Sequence, residues 1–274
     1  MGMSHRLLRP RASSTFSPTK IAGLSLWLDA SDTQTLFDAT SGGSTPSADG
    51  SVARWVDKST NAYEFTQSTA NNRPLRKTSS QNGKDGLLFD GTNDAMYKEA
   101  QVFTAGVTII VVTKLTSASV RAAVIDVGNY SANGNKSLAI EANTYLSASN
   151  KWGLFVAANS PTVNSTYEAS ASTSTNAAII AYAGNHALNS DITSNAYRVN
   201  GVACTLTRRY GGADASADYS SVSGVMISAF NAAGTPGGLG GQTLYEVIVY
   251  NSKLSTADCQ SVESYLSKKW GITI

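Results

Sequence analysis

Residues 23–32 read Gly-Leu-Ser-Leu-Trp-Leu-Asp-Ala-Ser-Asp. Within this stretch Leu24, Leu26 and Leu28 occupy every second position, with polar or aromatic residues between them. Because successive side chains of a strand point to opposite faces, this alternation predicts a strand with one face in a core. The polar Asp-Ala-Ser-Asp segment that follows is typical of a turn.

Short apolar runs of this kind recur along the chain, separated by clusters of Gly, Asn, Ser and Asp. About a dozen short strands joined by polar turns is typical of a two-sheet sandwich. No period of roughly 20–50 residues repeats, which argues against solenoids and propellers. The further predicted strands are 52–56, 87–89, 107–114, 120–127, 137–141, 152–157, 177–183, 197–199, 202–206, 225–230 and 244–250.

The composition also favours an all-β domain. The 274 residues include 37 Ser and 27 Thr but only six Glu, and charged residues make up 15%. An apolar fraction of 42% is enough for a core, which argues against global disorder. The length suits one large sandwich, and we predict a single domain over residues 21–274.

One helix is predicted, at the C-terminus. Ser255 is an N-cap candidate, and Cys259, Val262, Leu266 and Trp270 recur at helical spacing. Lys268 and Lys269 suit the negative end of the helix dipole, and Gly271 is a suitable C-terminal stop.

Residues 1–20 form a basic segment without acidic residues, which we predict to be an extended arm. The alternatives are a disordered tail or a transit peptide, and three arginines are too few to indicate specific nucleic-acid binding. Docking onto a neighbouring subunit fits better, since the arm combines basic and apolar anchors. The predicted docking residues are Arg6, Leu7, Leu8, Arg9, Arg11 and Phe16.

Several classes of protein are not indicated. No apolar run approaches the roughly 18 residues of a membrane span, and no secretory signal is recognisable. Cys204 and Cys259 do not make a disulfide framework; their apolar neighbours favour free thiols, and a single bridge between them stays open.

Two groups of segments, one towards each end of the chain, form an ordered set of short motifs. The segments are 23–32 (GLSLWLDASD), 55–59 (WVDKS), 73–74 (RP), 82–83 (NG), 88–94 (LFDGTND), 241–251 (GQTLYEVIVYN), 254–255 (LS), 265–266 (YL) and 269–272 (KWGI). Together they resemble the concanavalin A-like, laminin-G-like jelly-roll domains of many phage and bacterial surface proteins. The resemblance implies an all-β sandwich of about 12–14 strands, with the first and last strands as near neighbours. It says little about function, because this fold carries lectins, adhesion modules and hydrolases.

Catalytic motifs are missing from the sequence. Hydrolases of this fold place two carboxylates two or four residues apart on one strand, and no glutamate here has such a partner. There is no Gly-x-Ser-x-Gly elbow, no zinc-ligand spacing and no Walker motif. We therefore predict a protein that is not an enzyme and that requires no cofactor.

Calcium is the one ion that the sequence suggests, because oxygen-rich turns supply the ligands that it prefers. Asp90, Asn93 and Asp94 form such a turn. The alternative is that these side chains only cap a tight turn.

Sugar binding would use exposed aromatic rings beside polar groups, and one segment offers both. Its candidate residues are Arg208, Arg209, Tyr210, Asp214, Asp218 and Tyr219. The alternative is that tyrosine is simply common on sandwich surfaces.

Together these features predict a structural or attachment protein of a tailed-phage virion, assembled in the host cytoplasm. We expect a head-decoration or tail-associated subunit, docked through its arm onto capsid or tail proteins and forming a homo-oligomer. The alternative is a carbohydrate-binding adhesin or lectin module, on a phage tail or a bacterial surface, that recognises a host-surface glycan.

Overall fold

The computed structural model describes residues 16–100, 102, 106–129, 136–143, 150–158, 164–185, 192–211, 224–232 and 234–274. These residues form twenty strands and one α-helix, α1 (Thr256–Trp270). The strands are β1 (Leu24–Asp29), β2 (Leu36–Phe37), β3 (Arg54–Val56), β4 (Glu64–Thr66), β5 (Leu75–Gln81), β6 (Lys84–Asp90), β7 (Met96–Lys98), β8 (Gly106–Leu115), β9 (Ala122–Asn129), β10 (Lys136–Ala142), β11 (Lys151–Ala158), β12 (Asn164–Ser172), β13 (Ala178–Asn185), β14 (Ala196–Val199), β15 (Val202–Cys204), β16 (Leu206–Tyr210), β17 (Val225–Ile227), β18 (Phe230–Ala232), β19 (Thr235–Gly237) and β20 (Gly241–Tyr250).

The strands form two large antiparallel sheets and one hairpin. Sheet A has the order β15-β14-β13-β8-β20-β6-β5, and β1 also pairs with β20. Sheet B has the order β16-β12-β11-β10-β9-β17-β7-β4-β3-β2, and β18 pairs only with β19. The predicted sandwich is confirmed, and so is the pairing of the first strand with the last.

The core lies between the two sheets. Leu26 and Val249 come from sheet A, whereas Trp55, Leu138 and Trp152 come from sheet B, and all five are fully or almost fully buried in one cluster. Alternate side chains of the strands face this core. Leu26 and Leu28 do so, as the leucine alternation of residues 23–32 predicts, but a register shift between Leu24 and Leu26 leaves Leu24 with the cluster on the other face, under α1.

Helix α1 covers the outer face of sheet A. Val262, Leu266 and Trp270 pack on sheet residues such as Ile110 and Tyr245. The predicted caps are confirmed: the Ser255 side chain accepts a hydrogen bond from the Asp258 amide, and Gly271 ends the helix in the left-handed conformation with φ of 66°. Among the described residues, no helix has the length and apolarity to cross a membrane.

Beneath α1 lies a buried carboxylate, Glu246, that joins three elements. Its Oε1 accepts hydrogen bonds from Trp27 Nε1 of β1 at 2.7 Å and from the Tyr265 hydroxyl at 3.0 Å. Its Oε2 accepts from Trp270 Nε1 at 2.7 Å and lies 2.7 Å from Lys269 Nζ. Burial raises the pKa of Glu246, while the charge of Lys269 opposes that rise.

The network continues through Asp29 to the turn after β3. Asp29 lies 2.7 Å from Lys269 Nζ and 2.9 Å from Lys58 Nζ, which also lies 2.8 Å from Asp32. Burial alone would raise the pKa of Asp29, but the charge of Lys269 and hydrogen bonds from Lys269, Ser31 and Lys58 lower it overall. The aspartates and lysines thereby connect β1 to the turn after β3 and to α1.

We expect Glu246→Gln to lower the free energy of unfolding by about 3 kcal/mol, because it leaves the Lys269 ammonium partly uncompensated in a buried site. Chemical denaturation with urea measures the change. Glu64→Gln is the matched control: Glu64 pairs with Arg54 at 2.6 Å but its side chain is 48% exposed. The control substitution should lower the free energy of unfolding by no more than about 1 kcal/mol. Equal decreases in the free energy of unfolding of both variants would refute the role of Glu246.

Candidate functional site

The outer face of sheet B carries a row of charged side chains. In the register of β10, β11 and β12, Glu141 lies opposite Gly153, and Gly153 lies opposite Glu168. Directly paired residues of antiparallel strands share a face, so both carboxylates flank a strand position that has no side chain. Glu141 is fully buried and Glu168 is 6% exposed.

Each glutamate is held by an arginine. Arg121 donates from Nε to Glu141 Oε2 at 2.9 Å, and its NH2 lies 2.8 Å from the same oxygen. Arg209 donates to both oxygens of Glu168, at 2.6 Å from Nε and 3.2 Å from NH2. The second arrangement is a two-point pairing that fixes the plane of the guanidinium group.

An aromatic row lies beside the charged one. Phe155 pairs with Ala139 on one side and Thr166 on the other, and Thr166 pairs with Tyr210 at the sheet edge. The register of β12 and β16 shifts between Thr166 and Tyr167. Such a bulge allows consecutive residues to reach the same face, and here it brings Arg209 and Tyr210 to the outer face together.

The two aromatic residues of this row differ in exposure. Tyr210 is 47% exposed, whereas Phe155 is only 7% exposed. Phe230 of the hairpin packs on Phe155 edge-to-face, with ring centroids 5.2 Å apart, and the Arg121 guanidinium lies 4.5 Å from the Phe230 centroid. The Arg209 and Tyr210 side chains are therefore accessible to solvent, whereas Phe155 lies behind Phe230.

A buried carboxylate, Asp126, lies beside the aromatic row. Asp126 is on β9 and pairs with Ala139 of β10. Its Oδ1 accepts a hydrogen bond from the Ser137 hydroxyl at 2.6 Å, and its Oδ2 accepts one from the Asn231 amide at 2.9 Å. Burial raises the pKa of Asp126 to about 6, against the lowering effect of these two hydrogen bonds.

Two of the six predicted sugar-binding residues lie on this face. Arg209 and Tyr210 lie on the outer face, whereas Arg208 pairs with Tyr167, a core residue on the inner side. Asp214, Asp218 and Tyr219 lie outside the described residues.

The predicted calcium turn has a capping geometry. Asp90 Oδ1 accepts hydrogen bonds from the amides of Thr92 and Asn93, and Asp94 Oδ2 accepts one from the Asp90 amide. In the part of the chain that the structure describes, no group of three or more His, Cys, Asp or Glu side chains is placed to hold a metal ion. Calcium binding by Asp90, Asn93 and Asp94 stays a prediction.

Of the predicted arm, only Phe16 and the residues after it are described. Phe16 packs on Tyr265 of α1 with centroids 5.9 Å apart, and the Pro18 carbonyl accepts a hydrogen bond from the Tyr250 hydroxyl at 2.9 Å. Phe16 thus contacts the body of its own chain, inside the segment that we assigned to the arm. Arg6, Leu7, Leu8, Arg9 and Arg11 lie outside the described residues.

Both cysteines are free thiols, as their apolar neighbours favour. Cys259 is buried in α1, whereas Cys204 is partly exposed on β15. Burial raises the pKa of the Cys259 thiol to about 11, which keeps it protonated and unreactive at neutral pH.

Sequence reasoning missed Arg121, Glu141, Phe155 and Glu168. Each is isolated in the sequence, and only the strand register brings them together. A signal does exist in β10, where Ser137, Ala139 and Glu141 share a parity opposite to the apolar Leu138 and Ile140. That parity marks an outer face but does not identify its cross-strand neighbours.

No family model matches the chain, and no curated protein matches it at a significant level. Solved structures do match. Trypanosoma rangeli sialidase with 2,3-difluorosialic acid has a TM-score of 0.54 at 15% identity, covering 90% of this chain and 33% of that chain. The same sialidase with sialic acid has a TM-score of 0.54 at 14% identity, covering 91% and 33%.

The CBM40 of the Ruminococcus gnavus IT-sialidase bound to α2,3 sialyllactose is also similar, with a TM-score of 0.47 at 15% identity; the match covers 69% of this chain and 98% of that chain. This chain spans about a third of the length of the Trypanosoma sialidase. At 14–15% identity the likeness to the two Trypanosoma sialidase structures is one of fold, and it agrees with the sandwich described above.

The Asp90 turn yields a pH prediction. Burial, together with the nearby charge of Asp90, raises the pKa of Asp94 from 3.8 to about 6, although a hydrogen bond from the Asp90 amide opposes the rise. A raised carboxyl pKa contributes stability below about pH 3.8 that is lost as the pH rises through about 6. Asp94→Asn should therefore raise the melting temperature at pH 7.5 by more than at pH 4.

Thermal denaturation of wild type and variant at both pH values checks this, with Asp49→Asn as the control, since the Asp49 side chain is 70% exposed. An equal shift of the melting temperature at both pH values would contradict the prediction.

Thermal denaturation with added calcium tests the predicted metal site. A calcium-dependent rise in the melting temperature of the wild type that Asp94→Asn abolishes would support calcium binding at this turn.

Proposed function

We propose that this chain is a non-catalytic carbohydrate-binding module and that its ligand lies on the outer face of sheet B, beside Arg209 and Tyr210. The observation that carries the proposal is the bulge in β16, which places a half-exposed tyrosine and an oriented arginine side by side on that face. The fold shared with part of a sialidase is compatible with such a role but does not assign it.

The chemistry of this face suits sugars. A tyrosine ring offers an apolar surface to the C–H face of a pyranose, and a phenolic hydroxyl can both donate and accept hydrogen bonds. Arginine presents several donors in a fixed plane, and the two contacts with Glu168 orient Arg209 before any ligand arrives. A preorganised donor loses less conformational entropy when it binds.

Non-catalytic binding is supported by the two glutamates. Glu141 and Glu168 lie two strands apart, which is about 10 Å at ordinary strand spacing; this is twice the roughly 5 Å of retaining glycosidases and at the upper limit of the roughly 6.5–9.5 Å of inverting ones. Each is also ion-paired with an arginine. A glycosidase acid must carry a proton, and an adjacent guanidinium favours the ionised form instead.

The virion role and its arm remain predictions from the sequence. Residues 1–15 are outside the described part of the chain, so the docking residues there have no structural account. A carbohydrate-binding module is compatible with a particle-bound protein, and particle attachment does not bear on the experiment below.

We expect the wild-type protein to bind one or more glycans on an array that includes sialic acid and sialyllactose, and we expect Tyr210→Ala to weaken binding about tenfold through the lost ring contact. Arg209→Ala should weaken it by a similar factor. Isothermal titration with the best array ligand measures both losses.

Arg54→Ala is the matched control. Arg54 also pairs with a glutamate, Glu64, and its guanidinium lies 4.2 Å from the centroid of the Phe37 ring. Arg54 is on β3, at the opposite end of sheet B from Arg209. It should leave affinity unchanged. Failure of the wild type to bind any glycan, or an equal loss in all three variants, would reject the proposed site.

A further inference from the structure

The β18–β19 hairpin lies over part of the candidate site. Phe230 packs in a cluster with Ala123, Ala139, Phe155 and Ala157, all from the outer face of sheet B. Phe230 therefore occupies the surface on Phe155 that a sugar ring would otherwise contact.

The hairpin is joined to the sheet at a narrow base. Gly240 donates its amide to the Ser228 carbonyl at 2.9 Å, and the Ser228 hydroxyl donates to the Gly240 carbonyl at 2.7 Å. Ser228 has a φ of 65°, in the region that favours glycine, and Gly238 has a φ of 55°. Each end of the hairpin therefore has a residue in the left-handed backbone region, and the two hydrogen bonds between Ser228 and Gly240 close its base.

Beyond its base the hairpin is held by polar contacts near its first strand. The Asn231 amide donates to the fully buried Asp126 carboxylate, and the Asn231 side chain donates to the Gly128 carbonyl. The Asn231 Oδ1 atom in turn accepts a hydrogen bond from the Gly234 amide at 2.7 Å. The Asp126 carboxylate therefore contacts the hairpin backbone directly through the Asn231 amide.

The elements around Asp126 offer few charges to stabilise it. On β10 its neighbours are Ser137 and Ala139, and on β17 it pairs with Met226. On β7, Tyr97 pairs with Met226 and contributes a neutral phenol whose pKa is raised, chiefly by burial and also by the charge of Glu99.

A charged pair on the same face, Arg121 with Glu141, belongs to the adjacent row, and Arg121 lies over Phe230. Asp126 is therefore a buried carboxylate whose described partners are a hydroxyl and an amide rather than a cation.

We propose that the β18–β19 hairpin is a cover over Phe155 and that the protonation of Asp126 controls it, so that the cover closes in acid and opens above neutral pH. The predicted effect on ligand affinity rests on the proposed sugar-binding function. The opening itself is a property of the hairpin.

The direction follows from solvation. In the closed state a protonated Asp126 keeps both contacts, because its carbonyl oxygen accepts from Asn231 and its hydroxyl can bond Ser137. An ionised Asp126 gains hydration when the hairpin lifts. With a pKa of about 6 when closed and 3.8 when exposed, linkage predicts an opening equilibrium about tenfold larger at pH 7.5 than at pH 5.

Hydrogen exchange of the 229–239 segment tests this without any ligand. Asp126→Asn is isosteric and cannot ionise, so comparing it with wild type at each pH cancels the intrinsic pH dependence of exchange. The ratio of wild-type to variant exchange should rise about tenfold from pH 5 to pH 7.5. A ratio that does not change would overturn the proposal.

Ser137→Ala provides a second variant in case Asp126→Asn does not fold. It removes a hydrogen bond that favours the ionised form, so exchange at pH 7.5 should be faster than in wild type while exchange at pH 5 stays close to it. Equal exchange of this variant and wild type at pH 7.5 would contradict control by Asp126.

Titration with the best array glycan then tests the consequence. Wild-type affinity should increase between pH 5 and 7.5, whereas Phe230→Ala, which removes the covering ring, should bind more tightly at pH 5 and show little change with pH. If exchange changes with pH as predicted but no glycan binds, the proposed function is rejected and the proposed cover is supported. If a glycan binds but the exchange ratio does not change with pH, the proposed function is supported and control of the hairpin by Asp126 is rejected.

Discussion

The fold depends on one buried carboxylate. Glu246 accepts hydrogen bonds from two tryptophans and a tyrosine and pairs with Lys269, and these partners come from the first strand and from the last helix. A buried charge is costly unless every lone pair is satisfied, so the site is stable only when β1, β20 and α1 are all in place. The ends of the chain are joined by this requirement as well as by the pairing of β1 with β20.

That requirement explains why the sequence signal is strongest at the two ends. Trp27, Asp29 and Lys58 lie in the first group of resembling segments, and Glu246 and Lys269 lie in the second. The resemblance therefore consists largely of one interaction network seen as two separate pieces of sequence. The terminal helix was predictable for a similar reason, because Ser255 and Gly271 carry its caps locally. The features of the fold that could be predicted from the sequence are those encoded in short stretches of chain, such as the helix caps, or in the resembling segments.

The candidate site could be predicted only in part, because it depends on register. Tyr210 and Arg209 stood out as an aromatic beside a cation, but their common face results from a bulge that no local pattern indicates. Glu141 and Glu168 are 27 positions apart and become neighbours across Gly153 only when three strands are aligned. A search for carboxylates two or four residues apart on one strand does not find such a pair, since pairing across strands is independent of sequence spacing.

The two faces of the molecule separate stability from binding. The Glu246 network lies on the outer side of sheet A, under a helix that completes it, whereas Glu141, Glu168 and Asp126 lie on the outer side of sheet B. Asp126 has no cation among its described partners, so the burial of its charge is not compensated and its pKa is raised. Glu246, in contrast, has a lysine and three hydrogen-bond donors around it. A protein that keeps an uncompensated acid beneath a small hairpin loses stability locally, and local instability is the property that a movable cover requires. The contrast between a fully satisfied carboxylate at the fold's closure and a partly satisfied one at its candidate site is the physical reason to look for function on sheet B.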